Sequence, residues 1–327
     1  MTTQTEKPQK ISLDDITSAA RIVYSEMQAT PQYRWPMLCE RLGTEVWVKH
    51  ENHSPVGAFK IRGGLVYFDH LARLGDVPGG VISATRGNHG QSVAYAARRY
   101  GISATIVVPH GNSVEKNAAM RALGVKLIEH GDEFQAAREY AQKLAGEQSL
   151  HLVPSFHPWL IAGVATYSLE LLQAVNGIDV VYVPIGMGSG ICGMMAVRDA
   201  LNLNTEIVGV VSAHATAYAK SFSAGHAVES PVTTLLSDGM ACRTPEPSAL
   251  ELILTGVNRI VQVTDEEVAA AMRMMFECTH NVCEGAGAAA LAAATQEEKR
   301  NSGRKVAVIA SGGNIDQDVF AGVLAGR

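Results

Sequence analysis

Charge is scarce in this chain, and none of it is gathered in one place. Charged residues make up 18% of the 327, acidic ones outnumber basic ones 32 to 27, and the formal net charge is −5. Such a balance offers no basic footprint to a nucleic acid. Long apolar runs are missing as well: none approaches the roughly 18 residues of a membrane span. The opening Met1-Thr2-Thr3-Gln4-Thr5-Glu6-Lys7 is polar and lacks the apolar core of a signal peptide. Cysteine is sparse. Cys39, Cys192, Cys242, Cys278 and Cys283 are odd in number, scattered and free of any CxxC spacing. A disulfide framework is therefore excluded, and buried free thiols in a cytoplasmic protein are expected. Low-complexity segments, long linkers and clear repeats are absent too.

What remains is an ordinary globular composition, 47% hydrophobic, at a length that suggests about two domains. Strand-like and helix-like stretches alternate. Extended runs are expected at Val46–Lys49, Gly80–Ala84, Ala104–Pro109, Lys126–Glu129, His151–Val153, Val180–Val183, Ile207–Val211, Ile260–Val263 and Val306–Ala310. Helices are expected between most of them, one opening at Thr264 with Glu267 placed to complete a capping box. This pattern argues for an α/β fold of open parallel sheets with helices on both faces. About ten strands strain one open sheet, so two sheets are expected. We expect a smaller domain, residues 80–157, inserted into a larger one formed by 1–79 and 158–327. Ligands in such folds sit beyond the carboxyl ends of the strands, which directs attention to the loops there.

Four of these loops carry chemistry. After Val46–Lys49 comes Gly57-Ala58-Phe59-Lys60-Ile61-Arg62-Gly63-Gly64. A lysine leaving a tight turn beside an aromatic ring can lie in a poorly hydrated pocket, where its pKa falls and its amine becomes a nucleophile toward aldehydes. Taken alone it also reads as a solvated lysine. After Gly80–Ala84 comes Thr85-Arg86-Gly87-Asn88-His89-Gly90, opening a helix and suited to a carboxylate, or else an ordinary turn capped by Asn88 or Ser92. After Val180–Val183 comes Gly186-Met187-Gly188-Ser189-Gly190, whose backbone can wrap a phosphate. After Val306–Ala310 comes Ser311-Gly312-Gly313-Asn314, whose serine can hydrogen-bond a neutral ring nitrogen. Gly188–Gly193 is also a literal GxGxxG, which raises a nicotinamide-dependent oxidoreductase. That reading needs an acidic residue ending the next strand. Ile207–Val211 ends in Ser212-Ala213-His214, and Glu206 stands at the wrong end.

Together with Glu284-Gly285-Ala286-Gly287, these motifs resemble the fold-type II pyridoxal-phosphate enzymes, specifically the threonine/serine dehydratase group that includes serine racemase. The resemblance runs from about Ile11 to the C-terminus. It implies a tryptophan synthase β-like fold with pyridoxal 5′-phosphate in the interdomain cleft. It makes Lys60 the catalytic, cofactor-bearing residue. Phe59, Asn88, Gly186, Met187, Gly188, Ser189, Gly190, Glu284, Ser311 and Gly312 would line the cofactor. Thr85, Arg86, Gly87, Asn88 and His89 would hold the substrate carboxylate, and the region from Ser221 to Pro247 is expected to contribute to the pocket. The implied reaction is β-elimination from a 3-hydroxy amino acid such as L-threonine or L-serine. Lys60 takes the Cα proton, the hydroxyl leaves with a proton from the cofactor phosphate, and hydrolysis gives a 2-oxo acid and ammonia. A bulkier or acidic substrate, 3-phenylserine or 3-hydroxyaspartate, is the alternative within the family. A pyridoxal-phosphate-binding regulatory module is the alternative outside catalysis. The resemblance further implies a homodimer or homotetramer with only small-molecule partners. No appended regulatory domain is expected, and so no feedback by branched-chain amino acids.

Three departures from the family pattern stand out. Ala58 replaces the usual serine or threonine, and Met187 and Ser189 interrupt a tetraglycine run. Arg86 stands where a small residue is usual and where racemases carry a proton-transferring serine, so racemisation is not expected. Arg86 is expected to bind the substrate's α-carboxylate, or alternatively an acidic side chain, or to lie solvated at the loop edge. The family's divalent-cation site also lacks its acidic cluster. Ser212, Thr216 and Tyr218 stand there, and no metal is expected.

Overall fold

In the computed structural model, which describes residues 11–326 apart from Asp76 and Pro78, the alternation resolves into two separate sheets. The polar opening stretch Met1–Lys7 lies outside the described residues. In chain order the elements are α1 (Leu13–Tyr24), β1 (Gln32–Arg34), α2 (Pro36–Leu42), β2 (Glu45–His50), α3 (Lys60–Leu74), β3 (Val81–Ala84), α4 (Asn88–Arg99), β4 (Ala104–Val108), α5 (Val114–Ala122), β5 (Lys126–Glu129), α6 (Phe134–Glu147) and β6 (His151–Leu152). Then follow α7 (Pro158–Ala174), β7 (Val180–Pro184), α8 (Ser189–Ala200), β8 (Glu206–Ser212), α9 (Ala217–Ala224), α10 (Pro247–Gly256), β9 (Arg259–Val263), α11 (Asp265–Thr279), α12 (Gly285–Gln296), β10 (Lys305–Ala310) and α13 (Gln317–Leu324).

The larger sheet runs β1-β2-β10-β7-β8-β9 and the smaller β5-β4-β3-β6. The pairings are parallel, as the sequence pattern implies, apart from the antiparallel pairing of β1, a strand the pattern does not announce, with β2 at one edge. Gln32–Arg34 carries no apolar alternation and takes its extended shape from pairing with Trp47–Lys49. Both faces of the larger sheet are covered. On one face, Ile161–Leu172 of α7 and Ile191–Val197 of α8 pack under the outward residues of β7, β8 and β10. On the other, α11 and α12 pack on Val180, Tyr182, Val208, Val306 and Val308. Burial of side chains like these contributes roughly 1.5–3 kcal/mol each.

Strand order is what assembles the site. β2, β10 and β7 are adjacent and parallel, so the Lys60 segment, the Ser311 loop and the Gly186–Gly190 loop emerge side by side from the carboxyl end of the sheet. The Thr85–His89 loop leaves the carboxyl end of β3 in the smaller sheet. Tyr67, Phe68 and Leu71 of α3, with Leu160 of α7, join the core of the smaller sheet, so these two helices bind the sheets together.

Candidate active site

Lys60 is the first residue of α3 rather than part of a turn, and the helix begins five residues before Leu65, where the sequence pattern would start it. The turn that delivers it is fixed from two sides. Ser54 Oγ accepts from the Ala58 amide at 2.9 Å. Gly57 holds φ +67°, and a side chain there would strike Asn314 Oδ1 at 2.6 Å. The turn then zips to the loop after β10: the Phe59 amide donates to Ser311 O, and the Gly313 amide to Gly57 O. The Lys60 Nζ lies 4.9 Å from the Phe59 ring centroid and donates to Ser189 Oγ at 3.2 Å. Burial pushes its pKa down to about 8. A good fraction of the amine is therefore neutral and nucleophilic near physiological pH.

Ser189 opens α8. Its cap, Gly188, has φ +97°, and Gly186 passes so near Gly239 O that a Cβ would lie 2.3 Å from it. The amides of Ser189, Gly190 and Ile191 have no acceptor among the described residues, so the helix start presents three N–H groups and its positive dipole end to an anion.

The same device recurs at α4. Thr85 Oγ1 accepts from the Gly87 and Gly90 amides at 2.9 and 3.3 Å, which folds the loop back on itself. The amides of Arg86, Asn88 and His89 are left without acceptors among the described residues. The His89 ring is neutral, its pKa pushed down to about 3 by burial and by the Lys60 charge.

These pieces surround one cavity of about 130 Å³. Phe59, Lys60, Thr85, Arg86, Gly87, Asn88, His89, Gly186, Met187, Gly188, Ser189, Gly190, Glu284 and Ser311 all line it. Gly312 does not. It lies directly behind Asn88 and Glu284 of that lining, bridged to Ala58, with its carbonyl accepting from the Glu284 amide. Ser311 Oγ donates to Ala286 O at 3.3 Å.

Lys116 was not legible as a site residue. Its Nζ donates to Asp238 Oδ2 at 2.8 Å and Glu284 Oε2 at 2.9 Å. The other Glu284 oxygen accepts from Asn88 Nδ2, whose Oδ1 accepts from Asn314. Burial raises the Glu284 pKa, opposed by the Lys116 charge. Lys116 follows the loop after β4, another strand end, and only that position could have flagged it. Asp238 to Cys242 join the lining from the Ser221–Pro247 region, with Phe134 and Ser155 from the smaller sheet's side. Where the family's cation site would lie, Ser212 is buried and the Tyr218 hydroxyl donates to Met187 O.

The donor set pairs a low-pKa amine with an anion cradle on each side and a neutral hydroxyl. It suits a phosphorylated aldehyde with a ring nitrogen, together with a carboxylate substrate. Comparison with known proteins agrees. The family model for pyridoxal-phosphate dependent enzymes matches residues 23–312. An L-threonine ammonia-lyase of Thermotoga maritima is 34% identical over 95% of this chain and 77% of its own length. A biosynthetic L-threonine dehydratase of Haemophilus influenzae is 32% identical over 94% of this chain, which spans only 61% of that protein. The structure of maize serine racemase superposes with a TM-score of 0.89 at 27% identity, over 97% of this chain and 98% of the other.

Proposed function

The chain belongs to the family of pyridoxal-phosphate dependent enzymes, and from that premise we propose that it is an ammonia-lyase converting L-threonine, and also L-serine, to a 2-oxo acid and ammonia. The observation that carries this reading is Lys60: a cavity-lining amine with a pKa near 8, set between the amide-rich starts of α4 and α8. When bound, pyridoxal phosphate supplies an electron sink for the carbon that loses its proton.

The chain's own residues divide the remaining work. Lys60 would hold the cofactor, and its amine would serve as the base for the Cα proton. The first amides of α8 would hold the phosphate, and Phe59 would pack beside the ring. The Ser311 hydroxyl would meet the ring nitrogen as a neutral partner. The amides of Asn88 and His89 would hold the α-carboxylate, and Asn88, fixed by Glu284 and Asn314, would be oriented toward the cofactor. Neutral His89 leaves Lys60 without a competing acid at its side. L-threonine loses water across Cα–Cβ and regains it at Cα as ammonia departs, so 2-oxobutyrate and ammonia account for every atom.

Support for a two-domain division at residues 80 and 157 comes from the separate sheets. For a reducing, cytoplasmic setting it comes from five free cysteines. No helix among the described residues is long and apolar enough to cross a membrane. The exposed Tyr33 and Met37 near the β1 edge support association into a homo-oligomer.

Incubation with L-threonine should release equimolar 2-oxobutyrate and ammonia. Borohydride should trap the cofactor on Lys60, and Lys60→Ala should abolish turnover while circular dichroism stays unchanged. Cofactor trapped on another lysine, or no ammonia from any 3-hydroxy amino acid, would overturn the reading.

A further inference from the structure

Among the charged side chains lining the cavity, Arg86 has neither a hydrogen bond nor an ion pair with any described residue. Lys116 is matched by Asp238 and Glu284, and Lys60 by Ser189. A guanidinium drawn partly out of water without a counter-charge is costly, and a ligand carboxylate would supply the missing partner. The α-carboxylate is already provided for by the free amides of Asn88 and His89 and the positive end of α4. There is also room beyond it. A second cavity of about 110 Å³ adjoins the first and shares Ala84, Phe134, Ser155 and Met187 with it. Its lining carries both Arg138 and Glu246, which lie close enough to interact, so that cation already has a counter-charge and Arg86 is the one without.

Resting on the ammonia-lyase reading, we propose that Arg86 binds a second carboxylate, borne on the substrate's side chain, so that the site accepts dicarboxylic 3-hydroxy amino acids such as 3-hydroxyaspartate. The planar fork of a guanidinium pairs a carboxylate through two parallel N–H···O bonds. The methyl group of threonine cannot supply such a partner. The chemistry at Cα and Cβ is unchanged. Water leaves across that bond, water returns at Cα, and 3-hydroxyaspartate yields oxaloacetate and ammonia without an oxidant.

The test uses the holoenzyme and compares 3-hydroxyaspartate with L-threonine. Arg86→Ala should lower kcat/KM for 3-hydroxyaspartate about tenfold to a hundredfold more than for L-threonine, the range for a lost charged hydrogen bond. Arg86→Lys should recover part of the difference. Binding without turnover gives a second readout. Succinate should raise the melting temperature of the wild-type holoenzyme more than butyrate, and Arg86→Ala should erase that difference. Equal losses on both substrates would assign Arg86 to the α-carboxylate, and no loss on either would leave it solvated; each overturns the proposal. If the wild type released ammonia from neither substrate, the ammonia-lyase reading would fall. The succinate and butyrate comparison would still decide the role of Arg86: equal shifts refute it, and a succinate-specific shift upholds it.

Discussion

Lys60 is held where its charged form is disfavoured, and that has a measurable cost. The folded protein depresses its pKa from 10.5 to about 8 through burial. Between those two values the unfolded chain binds a proton that the native state does not, so stability rises with pH across that window. Below pH 8 the full penalty is present, at most about 3 kcal/mol. Cofactor-free Lys60→Met should therefore melt higher than cofactor-free wild type at pH 7, and the gap should narrow as pH climbs toward 10. A gap that does not change with pH would mean that Lys60 is solvated. Ser311 carries a second expectation at this scale. Ser311→Asp would set a carboxylate where a neutral hydroxyl is proposed to meet the ring nitrogen. Product partition should shift toward transamination or reprotonation, or turnover should fall at least tenfold, an estimate from one lost hydrogen bond to a charged or polarised group. Unchanged rate and partition would count against that contact. Both residues were legible in the sequence because each lies in a segment that follows an apolar strand, Ser311 directly after β10 and Lys60 ten residues after β2. Lys116 was not, because its significance comes entirely from Asp238 and Glu284, 122 and 168 residues away along the chain.

Among the helices, the crossing of α3 and α7 decides where Lys60 stands. A Cβ on Gly63 would lie 2.8 Å from Leu160 O, and one on Gly163 would lie 2.3 Å from Arg62 O. The two backbones touch, and Arg62 locks the crossing from inside. It is fully buried, with Nε on Glu51 Oε2 at 2.7 Å and Nη1 on Glu170 Oε1 at 2.6 Å. Gly163→Ala should cost about 1–3 kcal/mol by overpacking, read as a lower urea midpoint. It should also weaken cofactor retention, because α3 carries Lys60. Full stability together with full retention would show that the crossing has slack. Gly63 and its neighbour Gly64 also disguise the helix start: the pair reads locally as a turn, since glycine inside a helix costs up to about 1 kcal/mol, and only the close packing on α7 and on Ser92 of α4 offsets it. Helix α12 leaves no local signature for a different reason. Gly285–Ala294 is buried on every side, so it has no polar face and no 3.6-residue stripe to read. The capping box at Thr264 and Glu267 was local chemistry, and it formed as expected.

Across the whole molecule, the two sheets meet through α5 as well as through the shared helices. Ser113 Oγ bonds to Asp316, the Gln317 amide donates to Glu115, and Lys116 bridges Asp238 and Glu284. The two-sheet division could be read from strand count and alternation. Which residues would close the gap between the sheets could not, since no local pattern records a contact between distant loops. Lys116 is the most consequential of them because Glu284 is buried and its pKa is already raised by burial. Removing the ammonium would leave that carboxylate unpaired, a loss of roughly 3–5 kcal/mol for a broken buried pair. The pH dependence follows from the sign. A carboxylate whose folded pKa lies above its unfolded value loses stability as pH rises between the two values, since the native state binds the extra proton there. Without Lys116 the folded value rises further and that window widens. Lys116→Met should thus lose more stability relative to wild type as pH rises above the ordinary carboxylate range, when urea midpoints of variant and wild type are compared at each pH. Lys116→Met with Glu284→Gln should recover most of the loss, because no charge is then left stranded. A destabilisation independent of pH, or a double variant no better than the single one, would mean that Lys116 contributes packing against Gly87 and not charge.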